Sequence, residues 1–298
     1  MAFSDMPVLE PLVLPGGPDY AERVLEMSRR AVATSRTVLD VPLGQDYWQK
    51  LDLFLPRDPS LTNLPVLMFV HGGAWCKGYK EWMGFMAPSI TAFPALFASV
   101  NHRLAPTARY PKPLEDCFAA LAWLHANVAR FGGSPDRIFV GGHSSGGHLA
   151  SLVTLRRDWA LARGLPEDVC KGCYTVSAPL NLHVAEARGR RLELIRQFLQ
   201  SDGDQFDASP IDHTKGNRAS FLLCWGTDDL PEVIEHNRQI FERLREENCV
   251  VQTLVVEGGH FDTSLQCADE DGPWLSAVRQ MMSAAPVPSR APHDTVFT

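Results

Sequence analysis

The residues best suited to chemistry lie in one short stretch, Gly142-His143-Ser144-Ser145-Gly146. An apolar run at residues 137–141 precedes the stretch, and small and apolar residues follow it. We therefore expect a strand that leads directly into a helix, with Ser144 on the tight turn between them. Flanking glycines suit such a turn because larger side chains there would collide with neighbouring backbone. This context suits a reactive hydroxyl on Ser144, and the amide of Ser145 would point at an oxyanion beside it. An ordinary Gly/Ser loop is the alternative, and the other motifs of the chain decide between the two.

A second stretch, His71-Gly72-Gly73-Ala74-Trp75, follows the apolar run at residues 64–70. A continuous apolar run of this length is typical of a strand buried on both faces. Glycines directly after it let backbone amides turn outward at the carboxyl edge of the sheet, where open α/β sheets bind ligands. These amides could hold an anion without help from side chains.

An acid and a base also follow predicted strands. Asp228 and Asp229 come after the strand predicted at residues 220–225, and His260 follows the last predicted strand. A serine hydroxyl needs a base to remove its proton during attack, and an aspartate would fix the tautomer of that base. The Gly-x-x-Asp spacing from Gly226 favours Asp229 as this acid, while Asp228 stays the alternative. The other histidines considered are interpreted as structural or surface groups: His102, His125, His143, His148, His183, His213, His236 and His293.

Composition limits the class of protein. The chain has 298 residues, of which 45% are hydrophobic and 21% charged, so it fits one large domain with a substantial core. The net charge of −7 argues against a nucleic-acid partner, and no large basic cluster suggests a membrane surface. The densest basic group, Arg188, Arg190 and Arg191, is interpreted as a solvated face.

The start of the chain and its cysteines indicate a cellular location. No basic segment followed by a long apolar stretch opens the chain, so a secretory signal is not expected. Seven cysteines, an odd number, do not suggest a disulfide framework. Cys170-Lys171-Gly172-Cys173 is interpreted as two ordinary cysteines rather than a metal or redox site. We expect a cytoplasmic protein that uses no metal and no cofactor.

The elements that must position these residues alternate between strand and helix. Helices are expected near residues 19–34, with Asp19 as the N-cap, and at 111–130, 192–199 and 273–284. Alternation implies right-handed parallel crossovers, with an antiparallel hairpin at the first two strands. We expect a single domain over residues 1–298, in which 1–36 form a helical lid segment, 181–217 a cap insertion after the sixth strand, and 286–298 a loose tail. The predicted strands cover residues 37–41, 48–55, 64–70, 95–100, 137–141, 172–178, 220–225 and 249–256.

Taken together, these motifs resemble the α/β-hydrolase superfamily, in the branch shared by hormone-sensitive-lipase-like carboxylesterases and kynurenine formamidases. His71-Gly72-Gly73-Ala74-Trp75 is similar to the formamidase His-Gly-Gly-x-Trp, and residues 142–150 are similar to the formamidase elbow. The resemblance implies an α/β-hydrolase fold with a mostly parallel central sheet flanked by helices. It also implies two sets of site residues, a catalytic triad of Ser144, Asp229 and His260, and an oxyanion hole at Gly72, Gly73, Ala74 and Ser145.

We expect a serine hydrolase that cleaves a small carboxylic ester through an acyl-enzyme on Ser144. The alternative is an arylformamidase that acts on an N-formyl aromatic amine, with Trp75 and Phe261 lining an aromatic substrate pocket. A non-catalytic ligand-binding module is the distant alternative. The expected partner is therefore a small ester or amide, and the sequence is compatible with a homodimer.

Overall fold

The computed structural model describes residues 3–284, so the tail predicted at residues 286–298 lies outside the described residues. Within this range one sheet of eight strands forms the centre of the molecule. The strands are β1 (Arg36–Pro42), β2 (Lys50–Leu55), β3 (Leu64–Val70), β4 (Leu96–Val100), β5 (Gly133–His143), β6 (Cys170–Val176), β7 (Ser220–Gly226) and β8 (Val251–Val256).

The strand order across the sheet is β1-β2-β4-β3-β5-β6-β7-β8. The first two strands form the predicted antiparallel hairpin, and β2 pairs antiparallel with β4. All remaining neighbours are parallel. The prediction of a mostly parallel sheet with an antiparallel edge is therefore confirmed, and the ends of β3, β5, β7 and β8 meet at one edge.

Helices cover both faces of the sheet, as its apolar strands require. They are α1 (Gly17–Thr34), α2 (Ala87–Ala92), α3 (Lys112–Asn127), α4 (Ser145–Leu155), α5 (Arg157–Ala162), α6 (Gly189–Phe198), α7 (Pro231–Glu246), α8 (Asp262–Gln266) and α9 (Pro273–Ala284). Strand β3 is buried at every position and contributes alternate residues to two cores. Val66, Met68 and Val70 join the core of α3, α4 and α7, whereas Leu67 and Phe69 join the core of α1 and α9.

Helix boundaries differ from the sequence predictions mainly at amino-terminal ends. Helix α1 begins at Gly17 with Gly16 as its N-cap, so the predicted N-cap at Asp19 is wrong. Pro18 explains the earlier start, because its fixed φ and missing N–H suit the first helical turn. Helix α9 begins at Pro273, as predicted. None of the helices in residues 3–284 is long and apolar enough to cross a membrane.

Candidate active site

Ser144 occupies a strained turn between β5 and α4. Its φ of 53° and ψ of −125° lie in a region that residues with a side chain rarely adopt. The turn leaves no room for side chains on either side. A Cβ added at Gly142 would lie 2.3 Å from the backbone carbon of Gly146, and one added at Gly146 would lie 2.1 Å from the carbonyl oxygen of Val70. Glycine is thus required at both positions for the serine to sit at the sheet edge.

The structure brings Ser144, His260 and Asp229 into one hydrogen-bonded chain. Ser144 Oγ lies 2.9 Å from His260 Nε2, and His260 Nδ1 lies 2.8 Å from Asp229 Oδ1. Because a carboxylate only accepts, Nδ1 carries the proton and Nε2 is free to accept from the serine hydroxyl. The alternative acid, Asp228, is exposed and accepts instead from the hydroxyl of Thr227.

Asp229 is buried, and both of its carboxylate oxygens accept hydrogen bonds. Its Oδ1 also accepts from the amide of Leu230 at 2.8 Å, and its Oδ2 accepts from Ser177 Oγ and, at 3.3 Å, from the amide of Gly226. Burial by itself raises the pKa of this carboxyl, but the hydrogen bond and charge of His260, with the Ser177 and Leu230 hydrogen bonds, outweigh it. The net result is a pKa below the ordinary value, so Asp229 is ionised beside the imidazole.

The backbone of His260 is held from two sides. Its carbonyl oxygen accepts from His143 Nε2 at 2.8 Å and from Thr263 Oγ1 at 2.9 Å. His143 is buried, and this burial together with the adjacent His260 lowers its pKa to about 3. His143 is therefore neutral and donates through Nε2. The loop that carries His260 is fixed by these contacts.

The loop after β3 turns through three consecutive residues with positive φ: Gly73 at 129°, Ala74 at 53° and Trp75 at 61°. Gly72 lies close to the serine, since a Cβ added there would be 3.2 Å from Ser144 Cβ. Within residues 3–284, the backbone hydrogen bonds outside helices and strands include none donated by the amides of Gly72, Gly73 or Ser145. Ser145 begins α4, so its amide also has no partner within the helix.

A cavity of about 220 Å³ opens onto Ser144 and His260. The N-terminal segment contributes Leu12 to Leu14 and Tyr20 of α1 to its wall, and α6 contributes residues from the other side. The two side chains predicted to bind substrate both line it. Trp75 is only 4% exposed, donates to His148 Nδ1 at 3.1 Å and stacks on Phe198. Phe261 stacks on Tyr20 with ring centroids 4.6 Å apart.

The prediction that Arg188, Arg190 and Arg191 form a solvated face is wrong for Arg191. Arg190 and Arg191 both line the cavity, but Arg190 is exposed, as Arg188 is, whereas Arg191 is half-buried. Helix α6 causes this placement, because Phe198 at its end stacks on Trp75 with ring centroids 4.7 Å apart. In the described residues, no group of three or more His, Cys, Asp or Glu side chains could hold a metal ion.

Sequence reasoning did not find Ser177, Thr263 or the role of His143. Ser177 directly follows β6 and has a positive φ of 52°, and its hydroxyl reaches Asp229 across the sheet edge. The signal for His143 was its position next to Ser144 in the elbow. Ser177 and Thr263 carried no such signal, because their partners are distant in sequence.

The BD-FAE family model matches residues 51–244, which is more than half of the chain. The chain belongs to the BD-FAE family. This match includes the loop after β3, the elbow and Asp229, whereas His260 lies beyond it.

The curated relatives include one esterase and one kynurenine formamidase, the two enzyme groups that the sequence resembles. Esterase LipC of Mycobacterium tuberculosis is 33% identical over 217 residues, which are 68% of this chain and 53% of LipC. Kynurenine formamidase of Salmo salar is 29% identical over 263 residues, covering 86% of each chain. The chain spans about half the length of the first curated relatives that it matches.

Solved structures establish the fold of this BD-FAE chain. A putative thioesterase from Silicibacter has a TM-score of 0.72 at 22% identity and covers 89% of this chain and 94% of its own. Esterase B from Lactobacillus rhamnosis, inhibited by a tributyrin phosphonate, has a TM-score of 0.71 at 17% identity. The alignment covers 88% of this chain and 92% of the esterase B chain. The predicted α/β-hydrolase fold is confirmed.

Proposed function

We propose that the protein is a serine hydrolase that cleaves a small carboxylic ester through an acyl-enzyme on Ser144. The observation that carries the proposal is the chain from Ser144 Oγ to His260 Nε2 at 2.9 Å and from His260 Nδ1 to Asp229 at 2.8 Å. This geometry allows the serine to lose its proton as it attacks. The similarity to esterase LipC supports the same reaction class.

In this mechanism Ser144 Oγ attacks the ester carbonyl while its proton moves to His260 Nε2. The ionised Asp229 stabilises the imidazolium that forms. We assign the oxyanion hole to the amides of Gly72, Gly73, Ala74 and Ser145, which the helix dipole of α4 assists. His260 then protonates the leaving alcohol. Water enters, gives its proton to His260 and hydrolyses the acyl-enzyme, which releases the carboxylic acid and restores Ser144.

The cavity supports a small substrate. Its volume of about 220 Å³ and its mostly apolar wall suit a short acyl group rather than a long chain. We assign substrate contact to Trp75 and Phe261, and the cap to residues 181–217 with the N-terminal segment 1–36, within a single domain of residues 1–298. Cytoplasmic location and a homodimer stay predictions of the sequence.

Replacing Ser144 by alanine tests the mechanism. We expect Ser144→Ala to lower kcat on a short p-nitrophenyl ester by more than about a thousandfold, because the covalent step is lost. It should also abolish labelling by a fluorophosphonate. The exposed Ser276 gives a matched control, since Ser276→Ala lies on α9 outside the cavity. Unchanged turnover in a folded Ser144→Ala protein would refute the mechanism, and failure of the parent protein to label would favour the ligand-binding alternative.

Arylformamidase activity is the second candidate. The 86% mutual coverage with kynurenine formamidase supports it, as does the aromatic wall in which Phe261 stacks on Tyr20. The two candidates differ in leaving group, an alcohol or an aromatic amine. Comparing kcat/KM for a short p-nitrophenyl ester and for N-formylkynurenine separates them, and the larger value identifies the preferred reaction.

A further inference from the structure

We propose that the substrate of this site carries a carboxylate, which the Arg191 guanidinium binds inside the cavity. The inference rests on the proposed hydrolase function and specifies its substrate class. It starts from the position of α6, which places Arg191 in the wall of the cavity that contains Ser144 and His260. A half-buried cation in an otherwise mostly apolar wall is costly unless a negative group compensates it.

The contacts that hold Arg191 are all neutral. Its Nη2 donates to the carbonyl oxygen of Asn181 at 3.0 Å and to His236 Nε2 at 2.9 Å, and its Nη1 reaches the carbonyl oxygen of Glu186 at 3.5 Å. Its Nε is buried without a hydrogen-bond partner in the described residues. No ion pair within residues 3–284 involves Arg191, although its neighbour Arg190 pairs with Glu193 at 3.1 Å.

The nearest carboxylates do not neutralise this charge by contact. Glu186 accepts from Asn181 Nδ2 at 3.0 Å and lies 3.5 Å from His183 Nδ1. Glu232 lines the cavity but forms no ion pair in the described chain. Burial lowers the pKa of Arg191, and the charges of Glu232 and Glu186 oppose that shift only in part. The guanidinium therefore keeps unused capacity for an anion.

His236, which contacts Arg191, offers few hydrogen-bond acceptors to the donors around it. Burial and the charge of Arg191 lower its pKa to about 3, so the imidazole is neutral and has one acceptor nitrogen. Two donors face it, the amide of Leu180 at Nδ1 (3.3 Å) and Arg191 at Nε2. Donors thus exceed acceptors around Arg191.

The charge of the cavity wall points the same way. Lys77 and Arg191 line the cavity against one carboxylate, that of Glu232, although the whole chain has a net charge of −7. The third cation of the wall, Arg190, is exposed and paired with Glu193. A positive cleft in an acidic protein concentrates anions locally. A singly charged carboxylate suits one guanidinium in an apolar wall better than a doubly charged phosphate, whose desolvation would cost more.

The test compares charged and neutral substrates of matched shape. One pair varies the acyl side, mono-p-nitrophenyl glutarate against p-nitrophenyl hexanoate, and the other varies the leaving group, p-acetoxybenzoate against p-tolyl acetate. We expect the native protein to prefer the charged member of at least one pair in kcat/KM, after subtraction of spontaneous hydrolysis. The preference should decrease as salt increases, because added ions screen the attraction.

Variants then assign the preference to Arg191. Arg191→Gln should lower the charged-to-neutral ratio about ten- to a hundredfold, the range expected for a charged hydrogen bond. Glu232→Gln should raise the ratio, because it removes the opposing charge. Arg196→Gln is the matched control on the same helix, since Arg196 is exposed, pairs with Asp202 and does not line the cavity. Arg191→Lys, which keeps the charge, should retain part of the preference if Arg191→Gln fails to fold.

Turnover of both neutral esters without any preference for a charged partner would overturn this inference and leave the proposed function intact. An unchanged ratio in folded Arg191→Gln, or equal losses in Arg191→Gln and Arg196→Gln, would also overturn it. If no ester is hydrolysed and Ser144 does not react with a fluorophosphonate, the proposed function itself fails.

Discussion

At the scale of single residues, Ser177 connects the end of β6 to the acid of the candidate triad. It is fully buried, and its Oγ donates to Asp229 Oδ2 while lying 2.7 Å from Thr263 Oγ1. Thr263 in turn donates to the carbonyl oxygen of His260. Ser177 does not line the cavity. We therefore interpret it as a positioning residue that orients Asp229 and does not touch substrate.

Ser177→Ala should lower kcat about tenfold while KM stays unchanged, because Asp229 loses one hydrogen bond worth about 1 to 1.5 kcal/mol. Steady-state kinetics on a short ester and the rate of fluorophosphonate labelling measure this effect, and both should fall together. Ser220→Ala is the control, since its hydroxyl donates to the carbonyl oxygen of Lys171 at 3.3 Å and Ser220 does not line the cavity. Equal kcat values in the two variants would show that Ser177 has no positioning role.

At the scale of elements, a buried ion cluster fixes the first hairpin to the loop that closes the cavity. Lys80 Nζ lies 2.9 Å from both Asp40 and Asp52 and 2.6 Å from Glu81. Lys80 is fully buried. The same loop ties down the N-terminal segment, because Lys77 and Tyr79 donate to the carbonyl oxygens of Pro11 and Pro7. The cluster thus stabilises the side of the cavity that Trp82 lines.

Lys80→Met should lower the free energy of unfolding by about 3 to 5 kcal/mol, because it leaves buried carboxylates without a counter-charge. Burial already raises the pKa of Asp52 and of Glu81, and Lys80 opposes that shift. Without Lys80 these carboxyls would hold protons in the folded state more strongly, so the loss should grow as pH rises. Urea unfolding of the parent protein and of Lys80→Met at two pH values measures this loss in the free energy of unfolding. Lys50→Met, which removes the partly exposed pair with Asp5, should cost at most about 1 kcal/mol.

At the scale of the whole molecule, five histidines within residues 3–284 are buried and therefore neutral in the fold. In each case burial is the largest cause of a lowered pKa. The pKa of His143 and of His236 falls to about 3, and that of His148 falls to about 4. His71 and His102, whose rings stack 4.6 Å apart, also have lowered pKa values. These side chains lie in or next to the loop after β3, in α4 and in α7.

Stability should fall steeply in acid. Below the ordinary histidine pKa of about 6.5, the unfolded chain binds protons that the folded chain excludes, so each such histidine removes up to about 1.4 kcal/mol per pH unit. The loss should continue until the pH approaches the lowered folded values near 3 to 4. Urea unfolding between pH 8 and pH 5, on the order of one point per half unit, measures the slope. His236→Gln should flatten the slope, and a slope that His236→Gln does not change would contradict this account.

The sequence by itself determined the features that depend on neighbouring residues. The elbow at Ser144 was readable because its requirement for Gly142 and Gly146 is a local steric matter. The continuous apolar run of β3 predicted a buried parallel strand, since such strands need apolar residues on both faces. Ser144, Asp229 and His260 each follow a different predicted strand, and their order along the chain followed from the order of those strands.

Only the tertiary structure decided the features that depend on distant residues. The packing of Phe198 against Trp75 brings Arg191 into the half-buried wall of the cavity, although its polar neighbours predicted a solvated face. Ser177 reaches Asp229 because β6 and β7 pair in a register that no local pattern specifies. The exposure of Asp228 and the burial of Asp229 likewise depend on how the strand ends meet. Burial and partner choice arise from long-range packing, and a pattern of adjacent residues does not contain that information.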